Sequence, residues 1–523
     1  MTPRGDALAE QVDVLIRPSR AVVVDSRRED LLVRETGAGS GRIGKDVVRD
    51  AGGLAGALRL PSAAGPGLPL LISVNQEGGR LDALDWPAVA QLAGNLAVGA
   101  IGCPETAHAA GAAIGGQLRA VGLTWDLAPV CDLGSWPSTS AVGTRAFGSE
   151  PGLVARLAAG FVRGLQSAGV AGTAKHFPGL GGVATDPHHA VPVLDRLRPG
   201  SLLPFQAAID AGVAAVMVGS HVVLEFDDRP AVFSPGTVRF LREEMGFDGV
   251  IVSENLSIPA VHESVGGVVA AAVAALAAGV DVVMLDSEVS RGRGDHAAVV
   301  AAVRTRDRVA AAVVAAVLDG RVDPDRVAEA ARRVRSLHDR FGLTDATQRP
   351  AWADVDTAAA EAARLIGDRS VTVLRGGHLL PLPDTAGGLV VLVRVPDGRV
   401  ARADSAHAAP DLVPDLWATD HRPVLRVRPG DPIPEGAAAI VFYGYDTGPD
   451  LPSLAAAEAA RLTGRGVPVV QVAFGVPDDL VSSPADVLIA AYSPHRASVA
   501  ACASVLWGPA YASGRLAVAG HPW

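Results

Sequence analysis

The chain has 523 residues, of which 49% are hydrophobic and only 20% charged, with a formal net charge of -10; this composition belongs to a compact globular protein and excludes an intrinsically disordered one. That length exceeds one ordinary core, so two domains are expected, a large barrel counting as one. An acidic balance without a basic cluster argues against nucleic acid or an anionic membrane as partner, and three scattered cysteines, Cys103, Cys131 and Cys502, suggest neither a disulfide framework nor a zinc site.

Residues 1–30 carry Arg, Asp and Glu throughout and never build the apolar core of a signal peptide, and no uninterrupted apolar span reaches membrane length. A soluble cytoplasmic protein is the expectation. From about Ala21 to Met284, short Val/Ile/Leu-rich runs alternate with Ala-rich amphipathic stretches, the pattern of repeated βα units around a parallel sheet. The predicted strands are Ala21–Val24, Leu70–Val74, Leu123–Val130, Ala171–Lys175, Ala214–Val218, Val250–Val252 and Val280–Leu285. Every run after the first ends in polar or titratable residues: Asn75-Gln76-Glu77, Cys131-Asp132, Lys175-His176, Ser220-His221, Ser253-Glu254-Asn255 and Asp286. A TIM-type (β/α)8 barrel gathers its active site at the C-terminal ends of its strands and predicts this recurrence; a doubly wound open sheet would collect polar residues there too.

Between the strands, Pro151 opens a helix in which Leu153, Leu157, Phe161 and Leu165 recur at helical spacing before Gly169 ends it. A helical region around Arg304 to Phe341 is followed by Thr344 to Ala351, which reads as an interdomain linker, and by a further helix near Val355 to Ile366. The βα alternation then resumes in Val371–Leu374, Leu389–Arg394, Ala438–Tyr443, Val467–Phe474 and Val487–Ala491. This second α/β domain has no glycine fingerprint for nucleotides, so a packing or dimerising role, including that of a homodimer interface, is expected of it. The partition is a barrel over 1–345, a linker over 346–354 and a smaller α/β domain over 355–523.

The chemistry concentrates after Ala171–Lys175, where a Gly/Pro-rich loop carries Asp186 and His188. Two apart and stiffened by Pro187, the carboxylate can accept a ring N–H and leave the imidazole to move a proton near neutral pH; an Asp-x-His in a loop is also a common local turn hydrogen bond. With its flanks, Lys175-His176-Phe177-Pro178-Gly179-Leu180-Gly181 through Asp186-Pro187-His188 resembles the Lys-His-Phe-Pro-Gly-His-Gly-x4-Asp-Ser-His signature of glycoside hydrolase family 3, in its bacterial β-N-acetylglucosaminidase branch. Asn75-Gln76-Glu77-Gly78-Gly79-Arg80, Gly143-Thr144-Arg145-Ala146-Phe147-Gly148 and Phe247-Asp248-Gly249-Val250-Ile251-Val252-Ser253-Glu254-Asn255 resemble further motifs of the same family. Gly376 to Leu382 and Ala512 to Val518 look like the opening and closing motifs of its C-terminal α/β sandwich.

The resemblance implies that Lys175, His176 and Arg145, with Asp132 and Asn75, bind the sugar of the first subsite. It makes His188 the acid/base, Asp186 the residue that orients it, and Glu254 the nucleophile of a retaining β-glycoside hydrolase of the β-N-acetylhexosaminidase type, with no cofactor. The departures are specific. Leu180 stands where the family has His, and Pro187 where it has Ser. Glu254 replaces Asp, and the extra methylene moves the carboxylate by roughly 1.5 Å if the backbone stays put, enough to cost ~10²-fold in a positioned reaction. Asn75 replaces a sugar-binding Asp and Ala83 an Arg at the same edge of the ring, which points to a modified or non-standard amino sugar. Two other functions fit this pattern: a β-glycoside phosphorylase, since a neutral imidazole repels phosphate less than a carboxylate would, and a sugar-binding protein that kept the fold with lost or weak turnover.

Overall fold

Short β-branched runs bracketed by Gly, Pro or Asp cannot reach helical length and settle as strands once neighbours cover both faces. In the computed structural model, which describes residues 8, 11–12, 16–18, 71, 73–84, 89–135, 142–181, 183, 190–285, 296–342, 349–382, 388–394, 411–419, 421–445 and 452–521, the first part of the chain forms β1 (Ile16–Pro18), β2 (Ser73–Val74), β3 (Trp125–Asp126), β4 (Thr173–Phe177), β5 (Val193–Leu194), β6 (Ala215–Val218), β7 (Val222–Val223), β8 (Val250–Asn255) and β9 (Val282–Leu285). The main sheet has the order β1-β9-β8-β6-β4 and is parallel throughout. Parallel bridges from Trp125 to Ala171 and from Val130 to Lys175 carry the array on to β3, which pairs in parallel with β2. Successive strands therefore lie side by side pointing the same way, as repeated right-handed βα units require. Among the described residues β1 and β2, at the two ends of this array, are not paired with each other, so the described sheet is open.

Beyond the C-terminal ends of these strands, β5 and β7 make a short parallel pair of their own. They tie the loop after β4 to the loop after β6. Helices cover the outside of the array, among them α1 (Pro104–Val121) and α2 (Pro151–Ser167). Glu150 caps α2 by accepting from the Gly152 and Leu153 amides at 2.8 and 2.5 Å. The two helices touch backbone to backbone: a Cβ on Gly111 would lie 2.3 Å from the Phe161 carbonyl oxygen, and one on Gly164 would lie 2.0 Å from that of His108.

The second part forms β10 (Thr372–Arg375), β11 (Leu389–Arg394), β12 (Val424–Val427), β13 (Ala437–Gly444), β14 (Val469–Ala473) and β15 (Val487–Ala490), in the order β10-β15-β14-β13-β11-β12 with only β10 antiparallel. The whole chain is thus an α/β fold with parallel sheets, as its sequence suggests. The run Ala21–Val24 lies outside the described residues, and so do Asp186 and His188. β12 has no counterpart among the predicted strands, because its Val-Leu-Arg-Val is a half-exposed edge too short to show a period. α3 (Trp352–Ser370) begins within the 346–354 stretch and joins the two parts. Its Asp356 accepts from the Ala90 amide at 3.0 Å and from Gln117 Nε2 at 2.9 Å, while its Gly367 packs against the backbone of α4 (Arg496–Trp507). The chain's last stretch returns to the first part, where the Ser149 amide donates to the Ala517 carbonyl at 2.9 Å. Among the described residues no single helix is long and apolar enough to cross a membrane.

At the N-terminal edge of the first sheet, Asp281 is fully buried among Arg242, Arg326 and Arg333 and also accepts from the Ile251 amide at 2.8 Å. Replacing Asp281 with Ala would leave guanidinium groups facing one another in a dry pocket, and removing one partner of a buried ion pair costs about 3–5 kcal/mol. We expect Asp281→Ala to lower the unfolding free energy by that amount, read as a lower urea midpoint at an unchanged slope; a loss below about 1 kcal/mol would mean that the cluster is hydrated and contributes little.

Candidate active site

Loops after β2, β3, β4, β6 and β8 converge at the C-terminal edge of the parallel array, and Glu77 is their centre. Its carboxylate, 2% exposed, receives Lys175 Nζ at 2.5 Å from β4 and Arg145 Nε and Nη2 at 2.8 Å each from the loop after β3. Burial by itself would raise the pKa of Glu77, but the two cations prevail and hold it at about 2. Burial pulls the Lys175 ammonium downward, with Glu77 the main opposing influence. The loop that presents Glu77 turns through Gly78 and Gly79 at φ +76° and +64°. At Gly79 a Cβ would lie 2.8 Å from the Gly94 Cα, so glycine is required there.

Lys175 Nζ also donates to Asn75 Oδ1 at 2.8 Å. The amide oxygen thus faces the ammonium, and the Asn75 NH2 is the group left to meet a ligand. Ala83, on the same loop, has its amide held by Gln76 Oε1 at 2.7 Å, and its methyl offers that edge nothing polar. Next along the array, the buried carboxylate of Asp132 accepts from His176 Nδ1 at 2.7 Å and from the Leu180 amide at 2.6 Å. Burial pushes the Asp132 pKa up, but His176 and the Leu180 amide outweigh it and the net direction is down. An ionised Asp132 fixes the proton of His176 on Nδ1 and leaves Nε2 for a ligand. The Lys175–His176 and Phe177–Pro178 peptides beside it are both cis. The Leu180 side chain is buried with Val130, Val142, Ala146 and Val183.

Glu254 lies at the end of β8. Its Oε2 receives both the amide of Ser220, at 2.8 Å, and the Ser220 hydroxyl, at 2.5 Å. Its other oxygen has no hydrogen bond among the described residues. Between Glu254 and the Asp132–His176 pair stands His221, wholly buried, with neither ring nitrogen in a well-formed hydrogen bond among the described residues. Burial is the largest influence on His221 and takes its pKa to about 4 against the pull of Asp132 and Glu254, so the ring is neutral near pH 7.

Asn75, Glu77, Arg145, Lys175, Asp132, His176 and Glu254 thus share one sheet edge. Glu77 has no role in the motif resemblance; a Glu that follows a strand and precedes Gly-Gly, with Lys and Arg at other strand ends, is the signal that marks it. Ser220 and His221 also had a signal, as the polar end of a predicted strand. The loop at Gly79 meets the second sheet: His495 Nε2 lies 2.7 Å from the Gly79 carbonyl oxygen, and Arg80 donates to the Tyr445 carbonyl at 2.5 Å.

Comparison with known proteins places the chain among relatives of known family. Residues 54–337 match the family described as glycosyl hydrolase family 3 N terminal domain. A beta-hexosaminidase of Stenotrophomonas maltophilia is 39% identical over 227 residues, 42% of this chain and 67% of that one. A beta-hexosaminidase of Pseudomonas aeruginosa is 34% identical over 308 residues, 57% of this chain and 83% of that one. The solved structure of a glycoside hydrolase family 3 beta-N-acetylglucosaminidase from Paenibacillus superposes with a TM-score of 0.83 at 28% identity, covering 99% of each chain.

His221 makes a prediction about stability. Its folded pKa, about 4, lies below its ordinary 6.5, so between those values the unfolded chain binds more protons and stability must rise with pH. The contribution amounts to roughly 3 kcal/mol, complete above pH ~6.5 and gone below pH ~4. Urea unfolding at a series of pH values should show this slope, and His221→Gln should flatten it; an unaltered slope in the variant would remove His221 as its source.

Proposed function

The chain belongs to glycosyl hydrolase family 3 and is a β-hexosaminidase-like glycosidase, and from this premise we propose that it is a retaining enzyme that cleaves β-glycosides of a modified amino sugar by double displacement. The observation that carries the reading is the Glu254 carboxylate. It sits on the same sheet edge as the Lys175–Glu77–Arg145 cluster, with one oxygen tethered by Ser220 and the other unengaged among the described residues. A tethered carboxylate with one free oxygen suits a nucleophile, since attack requires one lone pair aimed at the anomeric carbon and the rest of the group held still.

In this mechanism Glu254 attacks the anomeric carbon while His188 protonates the departing oxygen. Water then attacks the glycosyl-enzyme with His188 as base, and Asp186 keeps the imidazole oriented. The described residues on either side of Asp186 and His188 in the chain are held at this edge, Leu180 by its amide on Asp132 and Val193–Leu194 by the pairing of β5 with β7. Lys175, Arg145, His176 and Asp132 bind the sugar's hydroxyls. In this reading the parallel array is the described part of a (β/α)8 barrel, and residues 355–523 form the smaller α/β sandwich packed on it.

The case for a modified sugar rests on Asn75 and Ala83. With its oxygen taken by Lys175, Asn75 offers the substrate N–H donors and no carboxylate acceptor. A free hydroxyl on that edge loses its acceptor, whereas a substituent that itself accepts hydrogen bonds gains a partner.

Two measurements test the reading. His188→Ala should lower turnover about 10²–10⁴-fold on glycosides with poor leaving groups and spare the glycosylation step on activated aryl glycosides, which need little protonation; equal losses on both would sink the acid/base assignment. Asn75→Asp should raise kcat/KM on an unmodified aryl N-acetyl-β-glucosaminide by about 10-fold, since it restores an acceptor. Efficient cleavage of that simple glycoside by the unmodified protein would show the altered edge to be neutral.

A further inference from the structure

The extra methylene of Glu254 poses a mechanical problem. A longer side chain has one more rotatable bond, and a nucleophile that swings loses the benefit of being positioned. The tether described above answers it, and it comes from a neighbouring strand end rather than from β8. Ser220 lies two residues past the end of β6, and β6 pairs with β8 in parallel, with Val218 opposite Ser253. That register brings the Gly219–Ser220 turn alongside Glu254. The side chain of Ser220 is 1% exposed, so its hydroxyl has little water to turn towards, and its two donors converge on one oxygen of the carboxylate.

We propose that Ser220 is the positioning residue for Glu254: its hydroxyl and amide hold Oε2, fix the carboxylate plane and present Oε1 to the anomeric carbon. This rests on the reading of Glu254 as nucleophile. In glycosylation a lone pair of Oε1 forms the bond to C1 as the C1–O bond to the aglycone breaks, and the leaving oxygen takes the acid's proton. Oε2 is then the ester carbonyl and keeps both donors. In deglycosylation water adds to C1 and gives its proton to the base, while the C1–Oε1 bond breaks and its electron pair returns to the carboxylate. Negative charge reappears in part on Oε2, where the two donors are already in place. Ser220 thus assists attack by orientation and departure by stabilising the carboxylate.

A glutamate needs this hydroxyl and an aspartate in its place would not reach it, because a carboxylate drawn back by about 1.5 Å leaves the 2.5 Å contact. The hydroxyl and the length of the nucleophile's arm are therefore a coupled pair, and the coupling can be measured.

The experiment is a double-mutant cycle on kcat/KM with 4-nitrophenyl N-acetyl-β-glucosaminide, using the full chain and the variants Ser220→Ala, Glu254→Asp and both together. Ser220→Ala should lower kcat/KM by ~10–100-fold with KM changed little. In the Glu254→Asp background the same substitution should cost less than ~3-fold. A second reading comes from the acid limb of the kcat/KM profile, which should move to higher pH in Ser220→Ala because a donor to the ionised carboxylate has been removed. His221, with Asp132 and His176 behind it, is common to all four proteins. Equal losses in both backgrounds with an unmoved acid limb would overturn the proposal and leave Ser220 a packing residue. Peptide mass spectrometry after a fluorinated aryl glycoside that accumulates the glycosyl-enzyme separates the two levels of the argument. Label on Glu254 with an unchanged Ser220→Ala rate rejects the positioning role alone, and an unlabelled Glu254 in the unmodified protein overturns both.

Discussion

The site depends on one buried carboxylate. Glu77 pairs with both Lys175, a cation that could not remain buried by itself, and the half-buried Arg145, and so ties three separate strand ends together. Its own position is fixed by backbone: its amide donates to the Leu81 carbonyl at 2.9 Å and that of Gly79 to the Leu92 carbonyl at 2.8 Å, and the glycines allow the loop to press against Gly94. The geometry offered to a sugar is therefore set by a residue that has spent its charge on its neighbours. Lys175 and Arg145 are cations held ready, and the amide of Asn75 is oriented only because Lys175 is itself held.

This arrangement explains what the sequence reveals and what it conceals. Strands with Val-rich apolar runs of three or more residues, such as β6, β8, β9 and β11, show plainly, and so does the habit of ending each run in a polar group, because both are local consequences of a parallel sheet buried on two faces. β5, β7 and β12 leave no such trace, being too short or too exposed to need a pattern. Among the candidate site residues, Lys175, His176, Arg145, Asp132, Asn75 and Glu254 stand out from their motifs and lie together on one edge. The grip of Ser220 on Glu254 was not legible, since it depends on the register of β6 against β8 and no spacing in the chain encodes which neighbours two strands will have.

The junction of the two sheets is another long-range product. His495 follows β15 and reaches Gly79, more than four hundred residues earlier, while Arg80 reaches the Tyr445 carbonyl just beyond β13. Both contacts fall on the loop that carries Glu77 and lies beside Asn75. The second sheet thus braces the altered edge of the site, and α3, bonded to the first part through Asp356 and packed on α4, makes that brace rigid. The stretch Thr344 to Ala351, read as a linker from its polar composition, ends at the N-cap of this helix, whose first turn falls within the 346–354 partition.

The substitutions at Asn75 and Glu254 invite two explanations, decay and adaptation, and hydrogen bonding separates them. A residue that has drifted leaves its former partners unsatisfied, and buried unsatisfied groups are costly enough to be rare. Here each substituted residue has a partner that suits it. Asn75 presents its oxygen to an ammonium that would otherwise lose a hydrogen bond, and Glu254 uses its added length to reach the hydroxyl of Ser220. His221 is the exception, with neither ring nitrogen in a well-formed hydrogen bond among the described residues. Burial keeps the ring uncharged, so it adds no buried charge to a site that already holds Asp132 and Glu254. Protonating that ring would place a positive charge beside Glu254 and weaken the carboxylate as the proposed nucleophile; the neutral ring leaves that carboxylate free to react.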